Sequence, residues 1–162
     1  MAVINTSAGN EAVLKIYDLV SASNTSIVDA NVLSIPYMQD VTVNNSTGTF
    51  RYKTLDSGSE SVVTTPATNQ LSLNAIVDDD AFFGNTLAAG DGVVVDEGLF
   101  GTSANKTQIG FRIYFDGTDS GSKFLEGIGY ISGLAPTVNP DAPLWVTPVT
   151  IEVNGDFTES EV

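Results

Sequence analysis

The run Ile109-Gly110-Phe111-Arg112-Ile113-Tyr114-Phe115, the linker Asp116-Gly117-Thr118-Asp119-Ser120-Gly121 and the run Phe124-Leu125-Glu126-Gly127-Ile128-Gly129-Tyr130-Ile131 decide the fold class. Ile109, Phe111, Ile113 and Phe115 fall on one side of an extended chain, with Arg112 and Tyr114 on the other. A Gly- and Asp-rich linker between two such runs reads as an antiparallel hairpin. No window of the chain shows sustained helical periodicity, whereas many short windows alternate apolar and polar residues between Gly, Asn, Asp, Ser or Pro.

Outward from that hairpin, further strands follow the same logic. Val13 to Leu19 reads as a first strand or strand-like arm, and Val32-Leu33-Ser34-Ile35 as a second that Pro36 ends. Val41-Thr42-Val43-Asn44, the turn Asn45-Ser46-Thr47-Gly48 and Phe50-Arg51-Tyr52-Lys53 suggest a hairpin. Leu55 to Asn69 is long and polar, and reads as a projecting loop with work to do. Leu71, Leu73 and Ala75 alternate with Ser72 and Asn74 in another half-buried strand. Trp145 to Val153 reads as a final strand, and its apolar setting suggests that Trp145 is buried. One helix is expected after Asp78-Asp79-Asp80, over residues 81–89, with Asp78 as a cap and Gly90 closing it. Residues 93–106 carry loop signals. The expectation is a single all-β domain over 1–162, a β-sandwich or barrel of about eight to ten strands with one short flanking α-helix. It has an N-terminal arm (1–11), a long projecting loop (55–70) and a flexible C-terminal tail (157–162).

Composition bounds the chemistry. The 162 residues include no cysteine and no histidine, which removes thiolate nucleophiles, disulfides, imidazole bases and the usual zinc ligand sets. Gly58-Ser59-Glu60-Ser61 and Gly117 to Gly121 fit turns better than a nucleophile elbow. Gly127-Ile128-Gly129 sits inside a strand, where close packing explains it better than a dinucleotide loop. The Asp78–Asp80 triplet is read as helix capping before it is read as a cation site. No enzyme, cofactor or metal is therefore expected.

Twenty acidic residues against six basic ones give a formal charge of −14. That is the wrong sign for gripping nucleic acid, although negative walls suit a passage through which a polyanion must slide. The N-terminus lacks a secretory pattern and no apolar run is long enough for a membrane helix, so synthesis in a cytoplasm and no membrane partner are expected.

The C-terminal third, Gly127-Ile128-Gly129-Tyr130-Ile131-Ser132-Gly133-Leu134-Ala135-Pro136 followed by Trp145-Val146-Thr147-Pro148-Val149-Thr150-Ile151-Glu152-Val153-Asn154-Gly155-Asp156, resembles the closing strands of the major tail tube proteins of long-tailed bacteriophages. Asp40 to Asn44 and Tyr52-Lys53-Thr54-Leu55-Asp56-Ser57-Gly58 are similar to that family's hairpin and the run before its long loop, extending the resemblance over about 40–156. It implies hexameric rings stacked into a tube for genome passage, located in the virion tail and assembled in the host cytoplasm. Other tail proteins, such as the tape measure and the terminator, are implied partners, with DNA passing transiently. It also implies tube-wall strands carrying Val41, Val43, Phe50, Tyr52, Leu71 and Leu73, and a ring-stacking loop with Leu55, Asp56, Ser57, Glu60 and Pro66. The alternatives are a head decoration or minor virion protein, and a carbohydrate-binding β-sandwich with Trp145, Tyr130 or Tyr37 stacked on sugar rings.

Overall fold

A computed structural model describes residues 12–20, 26–35, 37–55, 58–85 and 92–162, and the statements below concern those residues. The expected N-terminal arm, Pro36, and residues 86–89 of the expected helix with its closing Gly90 lie outside them.

Nine strands form one sheet: β1 (Val13–Leu19), β2 (Ile27–Ile35), β3 (Met38–Tyr52), β4 (Ser61–Ile76), β5 (Ile109–Tyr114), β6 (Lys123–Leu134), β7 (Thr137–Asn139), β8 (Ala142–Val153) and β9 (Thr158–Glu161). The order is β2-β1-β5-β6-β8-β4-β3, with β7 added to β8 and β9 to β6. Every pairing is antiparallel. The all-β expectation holds, and the β5–β6 hairpin pairs Ile109 with Gly129 through to Tyr114 with Phe124.

The period-two pattern becomes burial directly. Along β4, Leu71, Leu73 and Ala75 are buried while Gln70, Ser72 and Asn74 are half-exposed. Leu14 and Ile16 of β1, Phe111 of β5 and Ile151 of β8 join Leu71 and Leu73 in one hydrophobic cluster. Residues from both halves of the sheet therefore share a core, so the sheet curls around its own apolar face.

β6 makes the curl possible. Its first half pairs with β5 and its second with β8, and Gly129 lies at the changeover, opposite both Ile109 and Val153. A Cβ at Gly129 would lie 2.1 Å from the Glu152 carbonyl oxygen, so only glycine allows the strands to approach this closely.

Two helices are present among the described residues, where the sequence suggested one. The first, α1 (Asp79–Phe83), is shorter than expected; the Asp78 carboxylate accepts a hydrogen bond from the Ala81 N–H at 3.1 Å, as its capping role requires. The second, α2 (Val93–Ala104), corrects the reading of that stretch as a loop, and its cause lies far away in sequence. Its own N-cap, Gly92, offers no side chain, and Asp18 of β1 caps instead. The Asp18 carboxylate accepts from Val93 N–H (2.8 Å), Val94 N–H (2.9 Å) and the Asn31 amide (3.1 Å). A buried anion at the helix N-terminus offsets the valines' weak helix propensity. Gly98 kinks α2 at φ 63°, and a Cβ there would sit 2.3 Å from the Gly84 backbone nitrogen, so α1 and α2 touch backbone to backbone.

Gly129→Ala should destabilise the protein by about 2–3 kcal/mol, because the new methyl meets a carbonyl rather than a movable side chain. Chemical denaturation would register this as a lower midpoint; an unchanged midpoint would mean that β6 and β8 are not this close.

Candidate assembly surface

β3 and β4 pair from Met38 opposite Ala75 to Tyr52 opposite Ser61, with register shifts between Met38 and Asp40 and between Ser46 and Gly48. Two expectations change. The supposed turn at Asn45–Gly48 is continuous strand carrying a register shift between Ser46 and Gly48, and the supposed loop 55–70 is strand from Ser61 onward. The polar Ser/Thr content that signalled a loop instead marks strand exposed on both faces, where no alternation is required. Pro66 fits because it lies within that irregular register, beyond the reach of β8, whose pairing with β4 begins at Asn69.

The hairpin outruns the body. From Asn45 to Tyr52 the strand is almost wholly exposed, a length of roughly 25 Å at strand rise. Phe50 and Tyr52 stack with ring centroids 6.4 Å apart, and Val63 lies directly across from Phe50. Val62, opposite Arg51, points to the other face. Arg51 meets Glu60 at 3.4 Å, and Leu55 is fully exposed at the turn. Asp56 and Ser57 lie outside the described residues. The proposed wall positions thus divide into Leu71 and Leu73 in the core, Val41 and Val43 packed partly against it, and Phe50 and Tyr52 in the open.

The outward face of β3, β4 and β8 is polar. It carries Asp40, Thr42 and Asn44, then Gln70, Ser72 and Asn74, then Thr150 and Glu152 with Pro148 beside them, and no lysine or arginine. Its side chains tie neighbouring strands together: the Gln70 amide donates to Glu152 at 2.6 Å and the Asn74 amide to Asp40 at 2.9 Å. The basic residues sit elsewhere. Arg112 lies between Glu126 (2.5 Å) and Asp29 (2.6 Å), with its guanidinium 4.9 Å from the Tyr17 ring centroid. Burial opposes its charge, but hydrogen bonds to Glu126 and Asp29 more than compensate and hold its pKa above the ordinary value.

The end of the sheet opposite the hairpin tip carries a second apolar group. Tyr37, Val138, Leu144 and Trp145 are all exposed, Trp145 at 53%, which corrects the expectation that it is buried. β8 begins four residues before its first pairing with β4, at Val146, so Trp145 stands on a strand that has outrun the core. A cleft of about 660 Å³ lies away from both ends and is lined by Asp18, Val93, Lys106 and Tyr130 among others. Its carboxylate is already occupied in capping α2.

No family model matches the chain, and no curated protein does. Solved structures do. The tail of an empty gene transfer agent particle, determined with C6 symmetry, is similar with a TM-score of 0.64 at 12% identity, over 96% of this chain and 99% of that one. A chain of the native gene transfer agent virion gives 0.63 at 10% identity over 96% and 99%. The SPP1 tail tube gives 0.61 at 10% identity over 97% of this chain and 80% of its own.

The chain has the tail-tube fold. Within the tail-tube fold, the C-terminal motifs fall on β6 and β8, the strands that join the two halves of the sheet. The expected flexible tail differs, because Thr158–Glu161 form β9 against β6. Lys123 and Glu159 meet at 2.6 Å across this pair. Their hydrogen bond lowers the Glu159 pKa from its ordinary 4.5 and raises that of Lys123 from 10.5.

The Glu159 contribution is complete above the ordinary carboxylate pKa and is lost as pH falls through the depressed one. The Lys123 contribution is complete below the ordinary lysine pKa and is lost as pH rises through the raised one. Amide protection of β9, read by hydrogen exchange and normalised for intrinsic rates, should therefore be flat between these limits and fall at both extremes. High salt should flatten the profile, since the pair is fully exposed; a pH-independent profile at low salt would show that the pair does not hold β9.

Proposed function

We propose that this chain is the major tail tube subunit of a phage-like particle, assembling as rings of six that stack around a channel for the genome. What carries the reading is the match along 96% of the chain to a tail determined with C6 symmetry. The subunit works by shape and self-association, without catalysis, in the virion tail. Tape-measure and terminator proteins are its partners there, and assembly takes place in the host cytoplasm.

The sheet supports this geometrically. The half β6-β8-β4-β3 ends on the open edge of β3. Six copies of four strands make 24. At about 4.8 Å between strands, with a barrel-like tilt of up to about 45°, they close a ring roughly 35–50 Å across at the backbone. With the polar face of β3, β4 and β8 turned inward, the bore is lined by amides, hydroxyls and carboxylates, and phosphates find no cation to hold them.

Six copies at −14 give −84 per ring, so added salt should promote assembly by screening repulsion between subunits. Negative-stain imaging of concentrated protein should show hollow tubes of uniform width, more abundant as salt rises. A protein that stays monomeric at every salt concentration would sink the proposal. Thr42→Lys with Ser72→Lys should leave tube formation intact but make tubes assembled with duplex DNA retain it at low salt. Tubes of this variant that hold no more DNA than wild type would place the polar face away from the bore.

A further inference from the structure

We propose that the Trp145 end of one subunit is the receptor for the β3–β4 hairpin tip of a second copy, and that this contact stacks the rings. The inference rests on the tube reading and specifies which surfaces meet.

The strand register places the two apolar groups at opposite ends of one long element. β4 starts at Ser61, beside Tyr52, and ends at Ile76, opposite Val146 of β8. Sixteen residues of strand separate the ends by roughly 50 Å. One end presents Phe50, Tyr52, Val62 and Val63; the other presents Tyr37, Val138, Leu144 and Trp145. A patch that meets a different patch makes a heterologous contact, and two patches facing opposite ways along one axis repeat without closing. That is the geometry of a stack; a self-complementary patch would stop at a dimer.

The tip has a further requirement. It is a two-stranded ribbon with apolar side chains on both faces, Phe50, Tyr52 and Val63 on one and Val62 on the other, so a flat surface would leave one face wet. The opposite end offers projections to sit between. Val138 and Trp145 are cross-strand neighbours on one face of the β7–β8 hairpin, which overhangs β4, and Tyr37 stands at the start of β3 beside Ile76. The Trp145 carbonyl accepts from Val77 N–H at 2.9 Å, tying this overhang to the body.

Charge favours the same pairing. The tip holds Arg51 and Lys53, two of the six basic residues of the chain. Lys53 has no ion-pair partner among the described residues. The tip also holds Asp56 and Glu60, so it is formally neutral in a chain at −14, and it meets the receiving end, with Asp40, Asp78, Asp79 and Asp141, without the repulsion that the chains exert as wholes.

Trp145 is the sole tryptophan, so the unmodified protein reports on its own receptor. Tryptophan emission should shift to the blue and resist acrylamide quenching in step with light scattering as tubes grow. Phe50→Ser with Tyr52→Ser should halt assembly at single rings, raise the concentration needed for tubes at least about tenfold, and leave Trp145 as quenchable as in the monomer. Tubes that grow with unchanged Trp145 emission would overturn the assignment while leaving the tube reading standing. Rings of the double variant that already bury Trp145 would overturn it too, by placing the tryptophan in a lateral contact. Failure of the wild-type protein to polymerise at all would overturn both. A cysteine pair, Val62→Cys with Leu144→Cys, adds an independent reading in this cysteine-free chain: oxidised tubes should give a ladder of linked subunits, each single variant should give none, and a ladder from a single variant would contradict head-to-tail contact.

Discussion

The close approach of β6 and β8 around Gly129 is the constraint on which the rest of the molecule depends. β6 is the only described strand that pairs with β5 on one edge and with both β8 and β9 on the other. Through β8 it carries β4 and β3, and with them the projecting hairpin. If Gly129 held a side chain, the Glu152 carbonyl would have to withdraw and Ile131 would lose its place opposite Ile151. The two halves of the sheet would then no longer present Leu14 and Leu71 to one core.

Once the core is closed, the strands continue past it, and that surplus is the part to which the proposed assembly assigns function. A sheet in a self-sufficient domain has little reason to extend two strands roughly 25 Å into solvent with aromatic residues on them, because exposed edges and apolar ribbons invite association. Here one overhang is the β3–β4 tip and the other is the β7–β8 hairpin at the far end of β4. The buried stretch of β4 from Asn69 to Ala75 supplies rigidity, and the exposed stretch from Ser61 to Thr68 supplies reach. Stability and assembly thus use different segments of one strand.

The sequence was legible where burial imposes a period. Leu71 to Ala75 and Val149 to Val153 alternate because one face of each is buried, and Ile109 to Ile113 place Ile109, Phe111 and Ile113 in the core, although the other face of β5 is also covered at Gly110 and Tyr114. It was misleading where burial stops. Residues 61–69 do not alternate and are rich in Ser and Thr around Pro66, which looks like a loop, and only the register with residues 45–52 makes them strand. The α2 helix was illegible for another reason: its cap is Asp18, some 75 residues earlier in the chain, and its three opening valines favour strand by themselves. Trp145 misled through its apolar neighbours, since Val149 and Ile151 are buried but lie four and six residues further along β8, past the point where the core ends. The absence of histidine and cysteine was direct evidence on chemistry, because it removed imidazole, thiolate and sulfur-ligated metal sites.

Charge is distributed so that strong overall repulsion and specific contact coexist. Three cations of the sheet's other half are internally engaged, while Lys106 lines the cleft: Arg112 binds two carboxylates, Lys123 binds Glu159, and Lys15 lies 5.4 Å from the Tyr114 ring centroid. The cations at the hairpin tip are held differently, Arg51 by one exposed carboxylate and Lys53 by none among the described residues. Repulsion between chains at −14 acts on every encounter, whereas in the proposed contact a formally neutral tip, Arg51 and Lys53 against Asp56 and Glu60, would meet the aspartates of the far end with Lys53 near them. Screening weakens both effects, but contacts closer than a Debye length are screened less than the net charges of whole subunits. An acidic chain arranged in this way resists random clumping in dilute solution and gains selectivity for the head-to-tail contact as salt rises.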